Sequence, residues 1–233
     1  MLDVIYRFCE NETDGNLRDI RPEWFNKIAC LQSFLDAIEY AENRKHINSV
    51  TFVHDGPEGP LLEYLNKSFW EPRIVKINYK DNLKSLLTTF DIADNLTGNI
   101  YFVEDDYLHT MMSISKIQQA VKNLGLVGGY DHPDRYTVTD DIPYELKIVF
   151  DNDSNTHWRT SESTCCTWAV RRDIYESIKQ DIRSFGIWDR ELFRHFHRRG
   201  IPLWTSIPGL TTQVDKCMSP GVNWKQVSWA SSV

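Results

Sequence analysis

The chain has 233 residues, of which 41% are hydrophobic and 12% aromatic, with a formal net charge of −7. This composition supports a sizeable core and excludes wholesale disorder, and the acidic balance argues against nucleic acid as a partner. The five cysteines are odd in number and form no CxxC pair, so neither a disulfide framework nor a zinc site is expected.

The first 130 residues alternate between short β-rich runs and helical patterns. Strands are predicted at 3–8, 49–56, 73–79 and 99–103, and helices at 23–43, 82–96 and 111–124. Such a β-α-β-α-β order predicts an α/β fold with a doubly wound, mostly parallel sheet flanked by helices.

Residues 125–233 are less regular. Strands are predicted within 125–130, 145–150 and 164–170, helices at 173–182 and 188–199, a turn-rich segment at 131–141 and a loop-like tail at 207–224. Because no repeat or low-complexity linker is visible, we expect one continuous domain over 1–233. The N-terminus lacks a secretory pattern and no stretch approaches a membrane span, so a cytoplasmic protein is expected.

Three carboxylates, Glu104, Asp105 and Asp106, follow the apolar run that ends at Val103. In an open α/β sheet, ligands bind beyond the carboxyl ends of the strands, near the switch point of the topology. Like charges packed there need a cation or hydrogen-bond donors to offset them, and Mg²⁺ or Mn²⁺ prefers such oxygen ligands. The motif therefore predicts a metal-bridged nucleotide diphosphate; a solvated acidic loop is the alternative.

Several motifs together resemble the GT-A class of nucleotide-sugar-dependent glycosyltransferases. "VEDDY" resembles their DxD motif, "FVHDG" the end of their second strand, "NLKSLLTTFDIADN" the helix before the DxD strand, and "CCTWAVRRDIY" the segment leading to the acceptor side. With "RPEWFNKIACLQSFL" and "SPGVNW", the chain resembles small glycosyltransferases of large DNA viruses (chlorovirus type) and related bacterial enzymes. This implies a GT-A-like domain with a nucleotide-binding half (1–130) and an acceptor-side half (131–233), located in the host cytoplasm if viral.

The resemblance assigns the acidic motif to the metal and the donor. Asp106 would be the principal ligand of Mn²⁺ or Mg²⁺, Glu104 would lie near the ribose or a metal-bound water, and Asp105 would position the sugar or ribose. Alternate residues of an extended segment point to opposite sides, so all three need not touch the ion. Gln213 stands where many relatives carry a histidine ligand; its neutral amide is a weaker ligand, and Asp215 is a nearby substitute.

The resemblance also implies a nucleoside pocket. Asp55 would accept a hydrogen bond from the base, with uridine favoured because uracil offers its N3 proton. Asn82 and Ser85 would line the pocket, and Arg7 would approach the base or a phosphate. A surface arginine at the edge of a strand is the alternative for Arg7.

For catalysis, an inverting transfer needs a carboxylate that deprotonates the acceptor hydroxyl, and the resemblance favours Asp189 or Glu191. We prefer Asp189, because the adjacent Trp188 could stack on a sugar face. The alternative is that Asp189 caps its helix while Trp188 lies in the core. Arg159 belongs to a polar stretch, 157–159, that we interpret as a mobile acceptor-side loop.

The implied function is a metal-dependent transfer of sugar from a UDP-sugar to a glycan or glycoprotein acceptor. Two alternatives remain. Gln213 keeps open a catalytically inactive nucleotide-sugar-binding module. A metal-dependent phosphohydrolase also uses aspartates at strand ends, although the common DxDxT pattern is absent.

Overall fold

The computed structural model of the protein describes residues 1–11, 21–67, 71–136 and 146–230. The strands are β1 Leu2–Phe8, β2 Ile47–Asp55, β3 Arg73–Ile77, β4 Asn99–Glu104, β5 Tyr107–His109, β6 Leu126–Gly128, β7 Ile148–Asp151, β8 Thr156–Ser161, β9 Trp168–Val170, β10 Leu203–Ile207 and β11 Thr211–Gln213. The helices are α1 Lys27–Glu42, α2 Pro60–Lys67, α3 Asn82–Asp94, α4 Ser113–Leu124, α5 Arg172–Phe185, α6 Asp189–Arg198 and α7 Trp224–Ala230.

Nine strands form one sheet in the order β3-β2-β1-β4-β9-β6-β10-β8-β7. β3, β2, β1 and β4 are parallel neighbours, whereas β9 runs antiparallel to both β4 and β6. The chain builds outward from β1 to β3 and then returns to place β4 on the other side of β1. The switch point therefore lies between β1 and β4, where this type of sheet opens a ligand crevice. The predicted mixed, mostly parallel sheet is confirmed.

Helices cover both faces of the sheet because successive side chains of each strand point to opposite faces, and both faces are apolar. Leu2, Val4, Tyr6 and Phe8 of β1 pack with α1, α2 and α4. Ile5, on the opposite face, packs with α3, α5 and α6. Strands from both predicted halves of the chain interleave in this sheet. Within the described ranges, none of the helices is both long enough and apolar enough to cross a membrane.

In the first half, two helices differ from the sequence prediction. α1 begins at Lys27 rather than at 23, because the Asn26 side chain accepts a hydrogen bond from the Ile28 amide at 2.8 Å and caps the helix there. α2 was not predicted. Its first turn is capped from a distance: the Glu10 carboxylate accepts hydrogen bonds from the amides of Leu61 and Leu62.

The second half differs more. Residues 157–159 belong to β8, in the interior of the sheet, so the prediction of a loop there is wrong. The strand predicted at 164–170 is shortened to β9 because Cys165 and Cys166 adopt positive φ angles of 48° and 67°, which a strand does not permit. The turn-rich segment is described as far as a short 3-10 helix, Pro133–Tyr136; residues 137–145 lie outside the described ranges. The loop-like tail contains β11, which pairs with β5.

Candidate functional site

Arg7 and Glu104 mark the switch point. They are register partners at the carboxyl ends of β1 and β4. Arg7 donates two hydrogen bonds to the Glu104 carboxylate, from Nε at 3.2 Å and from Nη2 at 2.7 Å. Their side chains are only 12% and 16% exposed. Arg7 is therefore not a surface arginine at a strand edge; it lies between two neighbouring strands and forms a bidentate, charge-assisted pair.

The first turn of α3 meets the same arginine. Asp81 caps α3 by accepting from the Lys84 amide at 3.0 Å, which directs the start of the helix toward β1. Nη1 of Arg7 then donates to Asn82 Oδ1 at 2.6 Å and to Ser85 Oγ at 2.7 Å. The structure thus brings together four residues, Arg7, Asn82, Ser85 and Glu104, that the sequence analysis assigned to nucleotide-sugar binding.

Each of the other two acidic residues also has a cation of its own. Asp105 accepts from Lys27 Nζ at 2.8 Å and from the Cys9 amide at 2.9 Å. Asp106 pairs with Arg21 Nη2 at 2.7 Å. The carboxylates are 14% and 12% exposed, so the alternative of a solvated acidic loop is wrong. We call the six residues Arg7, Arg21, Lys27, Glu104, Asp105 and Asp106 the strand-end cluster.

Gln213 lies beside Asp106 because β11 pairs with β5 immediately after the acidic motif. Its Nε2 donates to Asp106 Oδ2 at 2.9 Å, and the Val214 amide donates to the Asp106 carbonyl at 2.9 Å. Asp215 instead accepts from the Cys217 amide. Gln213 therefore acts here as a donor to the carboxylate rather than as an oxygen ligand.

The arrangement of these oxygens does not fit a divalent ion. Oδ2 of Asp106 already accepts from Arg21 and Gln213, and both oxygens of Glu104 accept from Arg7. Within the part of the chain that the structure describes, no three His, Cys, Asp or Glu side chains converge as metal ligands. The dependence on Mn²⁺ or Mg²⁺ remains a prediction from the sequence.

Burial and pairing set the charge states in this cluster. Burial raises the pKa of Glu104 to about 7, and the Arg7 guanidinium only partly opposes that effect. Burial alone would lower the pKa of the Lys27 ammonium group, but the attraction of the Asp105 carboxylate outweighs burial and raises that pKa. Lys27 therefore stays charged across the physiological range, whereas Glu104 changes its charge within that range.

Asp55 ends β2, beside the end of β1, and is nearly buried. Its Oδ1 accepts from the amides of Tyr79 and Lys80 at 2.7 and 3.0 Å, which holds the turn after β3. Next to it is a cavity of about 420 Å³ lined by His54, Gly56, Pro57, Glu58, Lys76, Ile77, Asn78 and Lys80. Asp55 itself is not among the residues that line this cavity, although its chain neighbours His54 and Gly56 are.

Asp189 is tied to the turn that precedes β9. Its Oδ2 accepts from Ser163 Oγ at 2.7 Å and from the amides of Thr164 and Cys165 at 3.1 and 2.7 Å. The same turn reaches the acidic motif, since Tyr107 Oη donates to the Thr164 carbonyl at 2.6 Å. Asp189 is the first residue of α6, yet its side chain caps this distant turn rather than its own helix.

The other acceptor-side residues have different environments. Trp188 is 68% exposed, so its alternative placement in the core is wrong. Glu191 is exposed on α6. Arg159 is only 4% exposed in β8, where its guanidinium pairs with Asp131 at 2.5 Å. The prediction that Arg159 lies in an open acceptor-side loop is therefore wrong: Arg159 is a buried residue of β8 whose guanidinium also donates to the His132 carbonyl at 3.2 Å.

Sequence reasoning missed Arg21, Lys27 and Cys9, which lie 85, 78 and 96 residues from their acidic partners. No short-range spacing pointed to them. The only available signal was electrostatic, because three adjacent carboxylates require offsetting charge.

No protein-family model and no curated protein matches the chain. Among solved structures, it is similar to a nucleotidyl transferase from Methanothermobacter, with a TM-score of 0.51, 13% identity, and coverage of 88% of this chain and 87% of the other. A CMP:2-keto-3-deoxy-manno-octonic acid synthetase complexed with CTP gives a TM-score of 0.48 at 12% identity, covering 99% and 98% of the two chains. At this level of identity the first comparison establishes a shared α/β fold.

Proposed function

We propose that the protein transfers a sugar from a nucleoside diphosphate sugar, with a UDP-sugar favoured, to a hydroxyl group of a glycan or glycoprotein. The observation that carries this proposal is the convergence of Arg7, Asn82, Ser85 and Glu104 at the switch point. These residues come from three separate elements, and a crevice at this position is where α/β sheets of this type bind nucleotides.

The choice of uridine rests on Asp55. Its Oδ1 holds the turn after β3, so Oδ2 is the oxygen offered to the N3 proton of uracil. The adjacent cavity of about 420 Å³ is of the size that small-molecule sites have.

In the proposed reaction, the acceptor oxygen bonds to the anomeric carbon of the sugar. The bond from that carbon to the diphosphate breaks, and the nucleoside diphosphate leaves with the electron pair. The acceptor proton passes to Asp189, most simply at Oδ1, because the three donors of the 163–165 turn all lie on Oδ2. The exposed Trp188 offers an aromatic face to the acceptor sugar.

A second candidate is nucleotidyl transfer, which the shared fold with a nucleotidyl transferase favours. The two reactions release different products. Transfer from a UDP-sugar to an acceptor releases UDP, whereas nucleotidyl transfer from UTP to a sugar phosphate releases pyrophosphate. A catalytically inactive binding module would release neither, and a phosphohydrolase would cleave the donor without an acceptor.

The experiment begins with a thermal-shift screen of UDP-, GDP-, TDP- and CMP-sugars, with and without Mn²⁺. The stabilising donor is then assayed for UDP release with and without glycan acceptors, alongside UTP plus sugar 1-phosphate assayed for pyrophosphate. We expect acceptor-dependent UDP release. Pyrophosphate release alone would replace glycosyl transfer by nucleotidyl transfer, and no stabilisation by any nucleotide would contradict both.

The catalytic assignment has its own test. Asp189→Asn keeps an oxygen for the 163–165 turn but removes the base, so donor binding should be retained and transfer should slow about a hundredfold to ten-thousandfold. Glu191→Gln is the control and should transfer at a near-normal rate. If instead Glu191→Gln is slow and Asp189→Asn is not, Glu191 is the base; if both are near normal, neither residue is.

A further inference from the structure

We infer that Arg21 and Lys27 occupy the positions at Asp106 and Asp105 that a divalent ion would take, so that this site binds a nucleoside diphosphate without such an ion. The nucleotide part of this inference rests on the proposed function. The part concerning the ion does not, because it can be measured with the metal alone.

The charge balance of the strand-end cluster is the first reason. Three adjacent carboxylates repel one another, and that repulsion is what normally calls for a metal. Here Arg7, Arg21 and Lys27 carry three positive charges against at most three negative ones, and each pair is in contact at 2.7 or 2.8 Å. A divalent ion would therefore enter a cluster whose negative charge is already balanced and would face three cations.

The anchoring of the cations is the second reason. The Arg21 side chain is 8% exposed, donates from Nη1 to the Val214 carbonyl and stacks over the Phe25 ring at 4.6 Å. Lys27 is 14% exposed and also donates to the Cys9 carbonyl at 2.9 Å. The Arg21 and Lys27 side chains are therefore largely buried. Removing either one would leave a nearly buried carboxylate without its cation.

The geometry around Asp106 is the third reason. For a metal to bind at Oδ2, both Arg21 and the Gln213 amide must withdraw. Gln213, the last residue of β11, stands where a metal ligand was expected and instead supplies a donor to the carboxylate. The Gln213 amide and the Arg21 guanidinium act in the same direction, since each donates to Asp106 and satisfies its carboxylate without an ion.

The first experiment titrates the protein with Mn²⁺ alone, followed by calorimetry or electron paramagnetic resonance. The wild type should show no saturable site at micromolar Mn²⁺. Arg21→Gln should bind Mn²⁺ at least about tenfold more tightly, because removing a resident cation removes a repulsion of several times the thermal energy. Arg21→Lys, which keeps the charge, should resemble the wild type.

Arg171→Gln is the matched control, because Arg171 also pairs with an aspartate, Asp173, but lies near the opposite ends of the strands. It should leave Mn²⁺ binding unchanged. If Arg21→Gln fails to fold, the wild type and Asp106→Asn still decide the matter. Micromolar Mn²⁺ binding by the wild type that Asp106→Asn removes would overturn the inference.

The second experiment measures UDP binding in EDTA and in Mn²⁺. The affinities should agree within about twofold, a difference well below 1 kcal/mol. Binding that requires Mn²⁺ would overturn the inference and support the metal dependence predicted from the sequence. Binding of no nucleotide under either condition would instead contradict the proposed function, while the titration with Mn²⁺ alone would still test the part of the inference that concerns the ion.

Discussion

Glu104 and Glu162 are both largely buried glutamates that pair with arginine, yet burial raises the pKa of Glu104 to about 7 while the pKa of Glu162 is lowered. Burial opposes the ionised form at both positions. At Glu162, hydrogen bonds from Arg194 Nε at 2.6 Å and Arg135 Nη1 at 2.9 Å outweigh it. Among the described residues, the Glu104 carboxylate accepts from Arg7 alone, and Nη1 of Arg7 donates to Asn82 and Ser85.

The difference distinguishes two roles that a glutamate–arginine ion pair can have in this protein. Glu162 is 3% exposed and pairs with two arginines, Arg135 and Arg194, as expected of a group that holds the fold. Glu104 shares its arginine with neutral polar groups at the mouth of a crevice. Such an under-compensated carboxylate is typical of a functional site, and the two can be distinguished by mutation.

The largest effect is expected from Glu162→Ala. It leaves two arginines without their buried carboxylate, which should lower the free energy of unfolding by about 3 kcal/mol or more. Urea denaturation measures the change. Asp173→Ala, which removes an exposed pair with Arg171, is the control and should cost less than about 1 kcal/mol. Equal costs for the two variants would mean that the Glu162 pairs are not structural.

An intermediate effect is expected from Arg7→Ala, and on binding rather than on folding alone. Hydrogen bonds to charged groups contribute about 1.5–3 kcal/mol each, so UDP affinity should fall about tenfold to a hundredfold. Calorimetry on the folded protein measures this. Arg7→Lys keeps the charge but not the bidentate geometry and should recover only part of the affinity. Unchanged UDP binding in Arg7→Ala would remove the strand-end cluster from the donor site.

The smallest effect, counted per pH unit, is a pH dependence that should run in opposite directions for the two glutamates. Because the pKa of Glu104 is raised in the folded state, its contribution to stability is present below about pH 4.5 and is lost as the pH rises through about 7. The slope is at most about 1.4 kcal/mol per pH unit. The lowered pKa of Glu162 means that its contribution is present above its ordinary pKa and is lost on acidification.

Urea midpoints of the wild type and Glu104→Gln, measured from pH 5 to pH 8, test this dependence. The stability of Glu104→Gln relative to the wild type should increase across that range, because the variant lacks the titrating group. Parallel profiles would show that Arg7 keeps Glu104 ionised throughout, and the contrast with Glu162 would disappear.

The sequence predicted the first half of the fold better than the second, for a local reason. β1, β2 and β4 are rich in apolar and β-branched residues, and α3 carries one apolar face, so each element is specified by its own residues. β8 is not: Thr156, His157 and Arg159 are polar and look like a loop until Asp131 and the neighbouring strand β10 supply their partners. β9 is shortened by the backbone at Cys165 and Cys166, which the side chains alone did not indicate.

By itself, the sequence determined that three carboxylates follow an apolar run with the pattern of a buried strand, which is local information. The resemblance to GT-A enzymes, and not periodicity, pointed to Arg7, Asn82 and Ser85. Only the tertiary structure decided which group neutralises which carboxylate. Arg7, Arg21 and Lys27 lie 97, 85 and 78 residues from their partners. Electrostatic attraction depends on distance in space, and only the folded chain brings these distant residues into contact.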